Sequence, residues 1–400
     1  AKDRDPRVSL RYDRASMGIH GLSRLLHDHA PHALKEGKME NYFGRKIAID
    51  ASMSIYQFLI QVRLAGGEGQ LTNEAGEVTS HISGMMYRTI RMMEAGIKPV
   101  FVFDGKAPTM KGGELAKRKE RMKQAESELT RLQQEGGSAE EIEKQQKRTV
   151  RATREQSEEV KTLLKLMGVP VVDAPCEAEA SCAALAKANL VFATGTEDAD
   201  ALTFGTPILV RHLSMAEARK MPIVEVNLAA VLEGLKLTHA QFIDLCILCG
   251  CDYVDSIKGI GPITALKLIQ EHGSIEAILK KIDLTKHPLP EPFPFEDARK
   301  LFTDPDVVDP SSLDIKWTDC DVEGLRKYLI EDKQFAEDRV NKAIERLQKC
   351  KGKNTQNRLE TFFGPVTVKR AERKPDPKAV KGKGKGKMPA GGSAAKKMKK

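Results

Sequence analysis

The chain has 400 residues, with 65 Lys+Arg against 56 Asp+Glu and a formal charge of +9. A hydrophobic content of 40% can build a sizeable core, but no stretch approaches the roughly eighteen apolar residues of a membrane-crossing helix. Seven thinly scattered cysteines argue against a disulfide scaffold and for a reducing compartment.

Residues 1–16 alternate arginines (Arg4, Arg7, Arg11, Arg14) with acids (Asp3, Asp5, Asp13). The acids contradict a transit peptide, so the segment reads as an unstructured extension or one that the mature protein lacks. From Arg45 the pattern alternates strand and helix. Lys46–Asp50 is a short apolar run ending in a carboxylate, followed by a helix and a Gly-rich loop at 66–69. Ser80–Ala95 reads as a helix, and Pro99–Asp104 as a second buried strand ending in Asp. Thr153–Met167 is amphipathic, Val169–Asp173 is a strand, and the Ala-rich Glu177–Ala188 is helical. Leu190–Ala193 and Ile208–Leu213 are further short strands. Continuous apolar runs between helices predict an α/β fold with a mostly parallel sheet covered on both faces.

Lys111–Arg154 is different, with 12 basic and 8 acidic residues and almost no core. Its residues favour helix, and Gly136-Gly137-Ser138 breaks it into two, with Ser138 as cap. Such a pair, inserted after a strand ending in Asp104, would overhang that strand's tip. Further on, Ser256–Pro262 holds two glycines whose turn can present amides to a phosphate, flanked by Lys258 and by Lys267 on the next helix, 265–271. Residues 287–295 are Pro-rich, helices resume through Leu347, and the composition from Lys369 onward is that of disorder. Residues 367–400 carry 13 Lys/Arg and 2 acids, leaving 52 and 54 for the rest. The protein is a near-neutral body with a basic tail.

The acids carry the chemistry. Asp50 and Asp104 close strands, Glu177 and Glu179 open a helix, Asp198 and Asp200 follow a strand, and Asp252 follows the helix 240–249. In a parallel sheet the carboxyl ends of the strands share one rim where ligands bind, so these seven acids would converge. Single strand-terminal Asp residues often cap helices. A set of seven needs divalent cations, and oxygen-only ligands select Mg²⁺ or Mn²⁺ over Zn²⁺. Two such ions about 4 Å apart activate a water and stabilise the leaving oxygen of a phosphodiester. Lys111 and Arg118 fall on one face if 111–118 is helical, placed to neutralise a phosphate approaching the acids. Cys246 and Cys249, with Cys251, lack a second pair for zinc and read as buried small side chains.

These blocks carry a resemblance. Met17–Leu22, Phe43–Tyr56, Val102–Lys106, Glu177–Cys182, Thr196–Asp200 and Gly259–Pro262 resemble, in this order, the eukaryotic flap endonucleases of the structure-specific 5′ nuclease (XPG/RAD2-like) family. The likeness spans about residues 17–363. It implies a PIN-like nuclease core, a helical arch and a helix–two-turn–helix element. It places Asp50, Asp104, Glu177, Glu179, Asp198, Asp200 and Asp252 at metal-binding positions, with Lys111 and Arg118 as basic gateway residues. Tyr56 matches a base-stacking Tyr; Arg63, Arg88 and Gly250 match DNA-contacting positions. Glu177, Asp252, Lys258, Gly259, Gly261 and Lys267 join them at the DNA interface, where K⁺ assists the helix–two-turn–helix.

By the same resemblance the chain divides into an extension (1–16), an N-terminal nuclease region (17–122), part of the arch (123–153) and an internal nuclease region (154–272). A C-terminal helical part (273–354), a clamp motif (355–363) and a basic tail (364–400) complete it. Gln356, Leu359, Phe362 and Phe363 resemble the motif that binds the sliding clamp, proliferating cell nuclear antigen, by a helix in a groove. The implied reaction is Mg²⁺-dependent hydrolysis at the base of a 5′ DNA flap, with 5′-to-3′ exonuclease activity, in Okazaki-fragment maturation and long-patch base excision repair. The implied location is the nucleus, with nucleolus and mitochondrion as further sites. Another branch of the family or a non-catalytic clamp-bound scaffold are the alternatives. The short spacing from Asp104 to Glu177 argues against the excision-repair relative, the clamp motif directly after the body favours the flap enzyme, and the seven intact acids argue against the scaffold.

Overall fold

The computed structural model describes residues 18–64, 79–213 and 221–353; side chains are described for 18–60, 79–213 and 221–350. The Gly-rich loop at 66–69, the clamp motif and the basic tail lie outside these ranges.

Seven strands build one sheet: β1 (Leu34–Gly37), β2 (Lys46–Asp50), β3 (Lys98–Phe103), β4 (Val171–Asp173), β5 (Ala193–Gly195), β6 (Ile208–Arg211) and β7 (Ile223–Asn227), in the order β1-β7-β6-β5-β2-β3-β4. From β6 to β4 all neighbours pair in parallel; β7 and β1 add an antiparallel edge. The apolar runs of β2 and β3 are buried throughout because the pleat sends alternate residues to opposite faces. Ile47, Ile49, Phe101 and Phe103 join one core with Ile55, Met85, Leu163 and Val340. Ala48, Val100 and Val102 join another with Ala178, Cys182 and Leu185. The small residues of helix Ala178–Lys187 let it approach the sheet closely.

The predicted strand at 190–193 sits later, at β5. Residues 188–190 are spent closing the preceding helix: Asn189 has φ 58°, and the Leu190 amide donates to the Leu185 carbonyl. Ala193 and Gly195, poor strand formers that flank Thr194, are drawn into the sheet by pairing with Ile47 and Ile49. His212, at φ 64°, ends β6 short of Leu213. β1 carries too few apolar residues to be read from the sequence; β7, rich in β-branched residues, lies outside the strands predicted above.

The charged insert forms helices Gly112–Glu135 and Ala139–Arg148, broken where expected. Gly136 takes the left-handed conformation that ends the first, at φ 74°. Ser138 caps the second, its Oγ accepting from the Glu141 amide while the Glu141 carboxylate accepts in return from the Ser138 amide and hydroxyl. The helix after the Gly-x-Gly turn starts at Pro262 rather than 265, since proline's fixed φ suits the first helical position.

Candidate active site

The chain leaves β2 toward β3 on one side and returns to β5 on the other, so the order of the parallel strands reverses between β2 and β5. The carboxyl ends at such a point form a crevice, and Asp50 and the Thr196–Asp200 loop stand there. Asp50 does two things at once. Its Oδ1 accepts from the Met53 amide at 2.9 Å, capping helix Ala51–Leu64, while Oδ2 accepts from the Thr196 hydroxyl at 3.2 Å. Asp104 accepts from the Ala178 amide at 2.8 Å. That reach depends on Gly105, where any β-carbon would overlap the Ala174 and Pro175 carbonyls, and whose amide donates to the Cys176 carbonyl at 2.7 Å. The loop carrying Asp104 is thereby locked beside Glu177.

Asp198 accepts from the Asp200 amide at 2.9 Å, and Asp200 from the Ile19 amide at 3.0 Å. Asp252 accepts both contacts from Arg118 Nη2, at 2.9 and 2.8 Å, and meets Lys111 Nζ at 3.1 Å. Glu177 accepts from Lys111 on one oxygen and from the Tyr253 hydroxyl on the other. These donors divide the acids among them, and no three acidic, His or Cys side chains among the described residues are gathered closely enough to hold a metal ion.

The seven acids nonetheless form one electrostatic unit. Burial, then the Asp104 charge, pushes the Asp50 carboxyl up to about 7. Burial and the neighbouring charges of Asp50, Asp104 and Asp198 hold Glu179 well above the usual carboxylate range. Asp200 is raised likewise by burial, Asp198 and Asp252, and Asp198 by burial and Asp252. Lys111 answers them. Burial opposes its charge, yet Glu177, Asp252 and Glu179 more than offset that and hold the ammonium well above its ordinary range. The same balance, with Asp252 and Glu114, raises Arg118.

A positive charge is thus what this group of acids takes up, and Lys111 Nζ stands where a cation would. The donors are carboxylate oxygens, which suit a hard divalent ion rather than zinc. In chemistry, though not in their present spacing, the residues fit such a metal.

Six of the acids, all but Asp200, floor a cavity of about 1220 Å³ whose roof is the charged helical pair, including Leu115, Met122, Gln145 and Arg148. The predicted base-stacking Tyr56 lines it as well. Lys117, one residue from Arg118, adds a two-pronged contact to Asp255 at 2.7 and 2.6 Å. The arch foot therefore rests on the loop that follows the last acid.

Other predicted DNA contacts lie elsewhere. Gly250, at φ 94°, ends helix His239–Cys249, and its carbonyl accepts from the His20 amide at 3.2 Å. Lys258, Gly259, Gly261 and Lys267 are exposed on the turn and helix after Asp252. Arg88 donates to the Ser54 carbonyl at 2.9 Å and lies over the Phe58 ring. Arg63 falls in helix Ala51–Leu64, with its side chain outside those described. Gln356, Leu359, Phe362 and Phe363 are outside the described residues altogether. Cys246, Cys249 and Cys251 are free thiols, and burial pushes the last two up to about 12, as inert packing groups.

Three contributors have no spacing signal in the sequence: Tyr253 beneath Glu177, Thr196 beside Asp50, and the Gly18–Ile19 segment against Asp198 and Asp200. Each was legible only as a neighbour of an acid or of the Met17-Gly18 block.

Comparison with known proteins gives consistent results. The XPG N-terminal domain matches residues 17–125 and the XPG I-region residues 168–252. Flap endonuclease 1 of Danio rerio is 56% identical over 359 residues, covering 89% of this chain and 94% of the relative. That of Osmerus mordax is 56% identical over 380 residues, covering 95% and 99%. Among solved structures, flap endonuclease-1 from Methanococcus jannaschii superposes with a TM-score of 0.63 at 30% identity, over 82% of this chain and 99% of that one. The catalytic core of Rad2 in complex with DNA substrate gives 0.63 at 25% identity, over 82% and 100%.

Proposed function

Since the chain belongs to the flap endonuclease family of XPG-type nucleases and is a structure-specific 5′ flap endonuclease, a hydrolase acting on DNA, we propose that it cleaves with Mg²⁺ at the carboxylate floor under the arch. Nucleases of this type act in DNA replication and repair and depend on divalent metal. The finer assignment is two Mg²⁺ ions, replaceable by Mn²⁺, held among Asp50, Asp104, Glu177, Glu179, Asp198, Asp200 and Asp252. When bound, such ions lower the pKa of a water and neutralise charge on the leaving oxygen.

The observation that carries this reading is the position of Lys111 and Arg118. Both come from the arch and both pair with floor acids. A scissile phosphate entering the cavity offers these cations a new anion, and Arg118's guanidinium, which meets Asp252 through Nη2, can turn to engage phosphate in charge-assisted contacts. Tyr56 offers an aromatic face at the cavity wall for the neighbouring base. Lys258, Lys267 and the glycines at 259 and 261 are disposed to meet the duplex backbone, with K⁺ as helper. Such contacts read charge and shape rather than sequence.

Gln356, Leu359, Phe362 and Phe363 are proposed to bind proliferating cell nuclear antigen, supported by the motif in the sequence. The Lys-rich end at 396–400 supports a nuclear location. These assignments place the enzyme in Okazaki-fragment maturation and long-patch base excision repair, with exonuclease action from a 5′ end.

The test is cleavage of flap, nick and four-way-junction DNA across a Mg²⁺ series, with Asp200→Ala alongside. Flap cleavage that requires Mg²⁺, and an Asp200→Ala protein that binds flap DNA without cutting it, are the expected results. Full activity from that variant would remove the metal-site assignment.

A further inference from the structure

Glu177 is held from two sides. On one, Lys111 reaches down from the foot of the arch, at the end of the short turn Thr109–Lys111. On the other, the hydroxyl of Tyr253 donates from within the core, where Tyr253 is only 7% exposed. The two donors differ in what fixes them. Lys111 belongs to the cavity roof and faces the acids that a metal and a phosphate would engage. Tyr253 is packed: its ring lies 5.0 Å from Phe302, tilted by 53°, and Phe302 lies 5.1 Å from Phe204, tilted by 57°. Phe302 and Phe204 are themselves buried.

This column of rings joins three parts of the site. Tyr253 follows Asp252 directly. Phe204 closes the short helix Asp200–Thr203 that begins at Asp200. Phe302 comes from helix Phe295–Thr303, far along the chain. Aromatic pairs at these spacings are in the favourable tilted range, so the hydroxyl has a defined position. Once Lys111 turns to an incoming phosphate, it leaves one Glu177 oxygen, and Tyr253 keeps the other.

We infer that Tyr253 is a positioning residue, whose hydroxyl holds Glu177 oriented for divalent-metal binding when Lys111 exchanges onto substrate, with Phe302 as its backing. The inference rests on the metal-dependent reading above. It predicts a role in metal affinity rather than in the chemical step, since partners of metal ligands typically affect affinity by about 10- to 100-fold when removed.

The experiment is Tyr253→Phe in the full chain, which keeps the ring and removes only the hydroxyl. Mn²⁺ binding is measured by calorimetry without DNA, beside a thermal melt and flap cleavage across a Mg²⁺ series. Expected are about tenfold weaker Mn²⁺ binding, an unchanged melt, and a cleavage defect at limiting Mg²⁺ that saturating Mg²⁺ largely restores. Unchanged Mn²⁺ affinity overturns the proposal. So does a cleavage defect that no Mg²⁺ concentration relieves while affinity is intact, because Tyr253 would then act on the reaction itself. Should Tyr253→Phe not fold, Phe302→Leu decides: it retains the hydroxyl, loosens its backing, and is expected to weaken Mn²⁺ binding by about threefold, with unchanged binding overturning the proposal. A wild-type chain that neither binds Mn²⁺ nor cuts flaps would refute the underlying reading instead.

Discussion

A β-carbon on Gly18 would overlap the Oδ1 atom of Asp198, and it would meet Asp200 Oδ1 as well. Gly18 also sits at φ 77°, where side chains are strained. The next amide, that of Ile19, donates to Asp200. The segment 18–19 is thus part of the floor's scaffolding. Gly18→Ala is expected to slow flap cleavage by about 10²-fold through displacement of these carboxylates and to cost about 1–2 kcal/mol of stability. Single-turnover rates and a denaturant titration measure the two effects; a rate within twofold of wild type would show that the floor tolerates the shift.

Arg118 reaches both oxygens of Asp252 through Nη2 and Glu114 through Nε, and a lysine has only one nitrogen to divide between the two acids. Arg118→Lys should lower the single-turnover cleavage rate by about tenfold, and Arg118→Ala or Lys111→Ala by about 10²-fold or more, in line with loss of one preorganised charge donor. Flap binding, dominated by the duplex, should change far less. Equal rates for Arg118→Lys and wild type would mean that charge alone suffices at this position.

His81 is buried on helix Ser80–Glu94, with its Nε2 within 2.5 Å of Glu159 Oε2. Lys333 also meets Glu159, and the Tyr328 hydroxyl donates to the Glu159 carbonyl. Burial lowers the imidazole's pKa, Glu159 opposes that, and Lys333 adds to it. Because the folded value lies below the unfolded one, the stabilisation is full above the unfolded value and declines as pH falls through it. Glu159 is resisted by burial but carried below its usual range by Lys333 and His81, so its contribution is also lost toward acid. Both signs agree. Asp50, raised to about 7, works the other way over this range, so the His81 part is read as a difference: the melting temperature of wild type relative to His81→Gln should drop between about pH 7.5 and pH 5.5, and an unchanged difference would assign the slope to other groups.

Arg299 binds Asp244 with two contacts, at 2.7 and 2.9 Å, and Glu276 with two more, at 2.7 and 3.1 Å. Asp244 is almost fully buried, so removing its partner strands a charge. Arg299→Ala is expected to cost about 3–5 kcal/mol, read by denaturant unfolding, whereas Arg299→Ala with Asp244→Asn should recover much of it. Equal losses in the single and double variants would mean that the guanidinium acts through packing.

The strands that carry acids were legible because their apolar runs end in Asp: β2 at Asp50, and β3 just before Asp104. Period and punctuation also revealed the arch, since Gly136, Gly137 and the Ser138 cap act over three or four residues. Local signals failed where pairing decided the outcome. β5 is set by Ile47–Ile49, roughly 150 positions earlier in the chain, and nothing within Ala193–Gly195 demands a strand.

By itself the sequence determined the kind of chemistry: oxygen ligands in excess, basic residues to meet phosphate, and the order of blocks shared with the flap endonucleases. Only the tertiary structure decided who holds those ligands. Tyr253 beneath Glu177, Gly18 against Asp198, Thr196 on Asp50 and Lys111 among the acids are contacts across many residues of chain. A carboxylate's orientation and charge state follow from the donors and desolvation around it, and those are set by packing, which no local pattern of residues encodes.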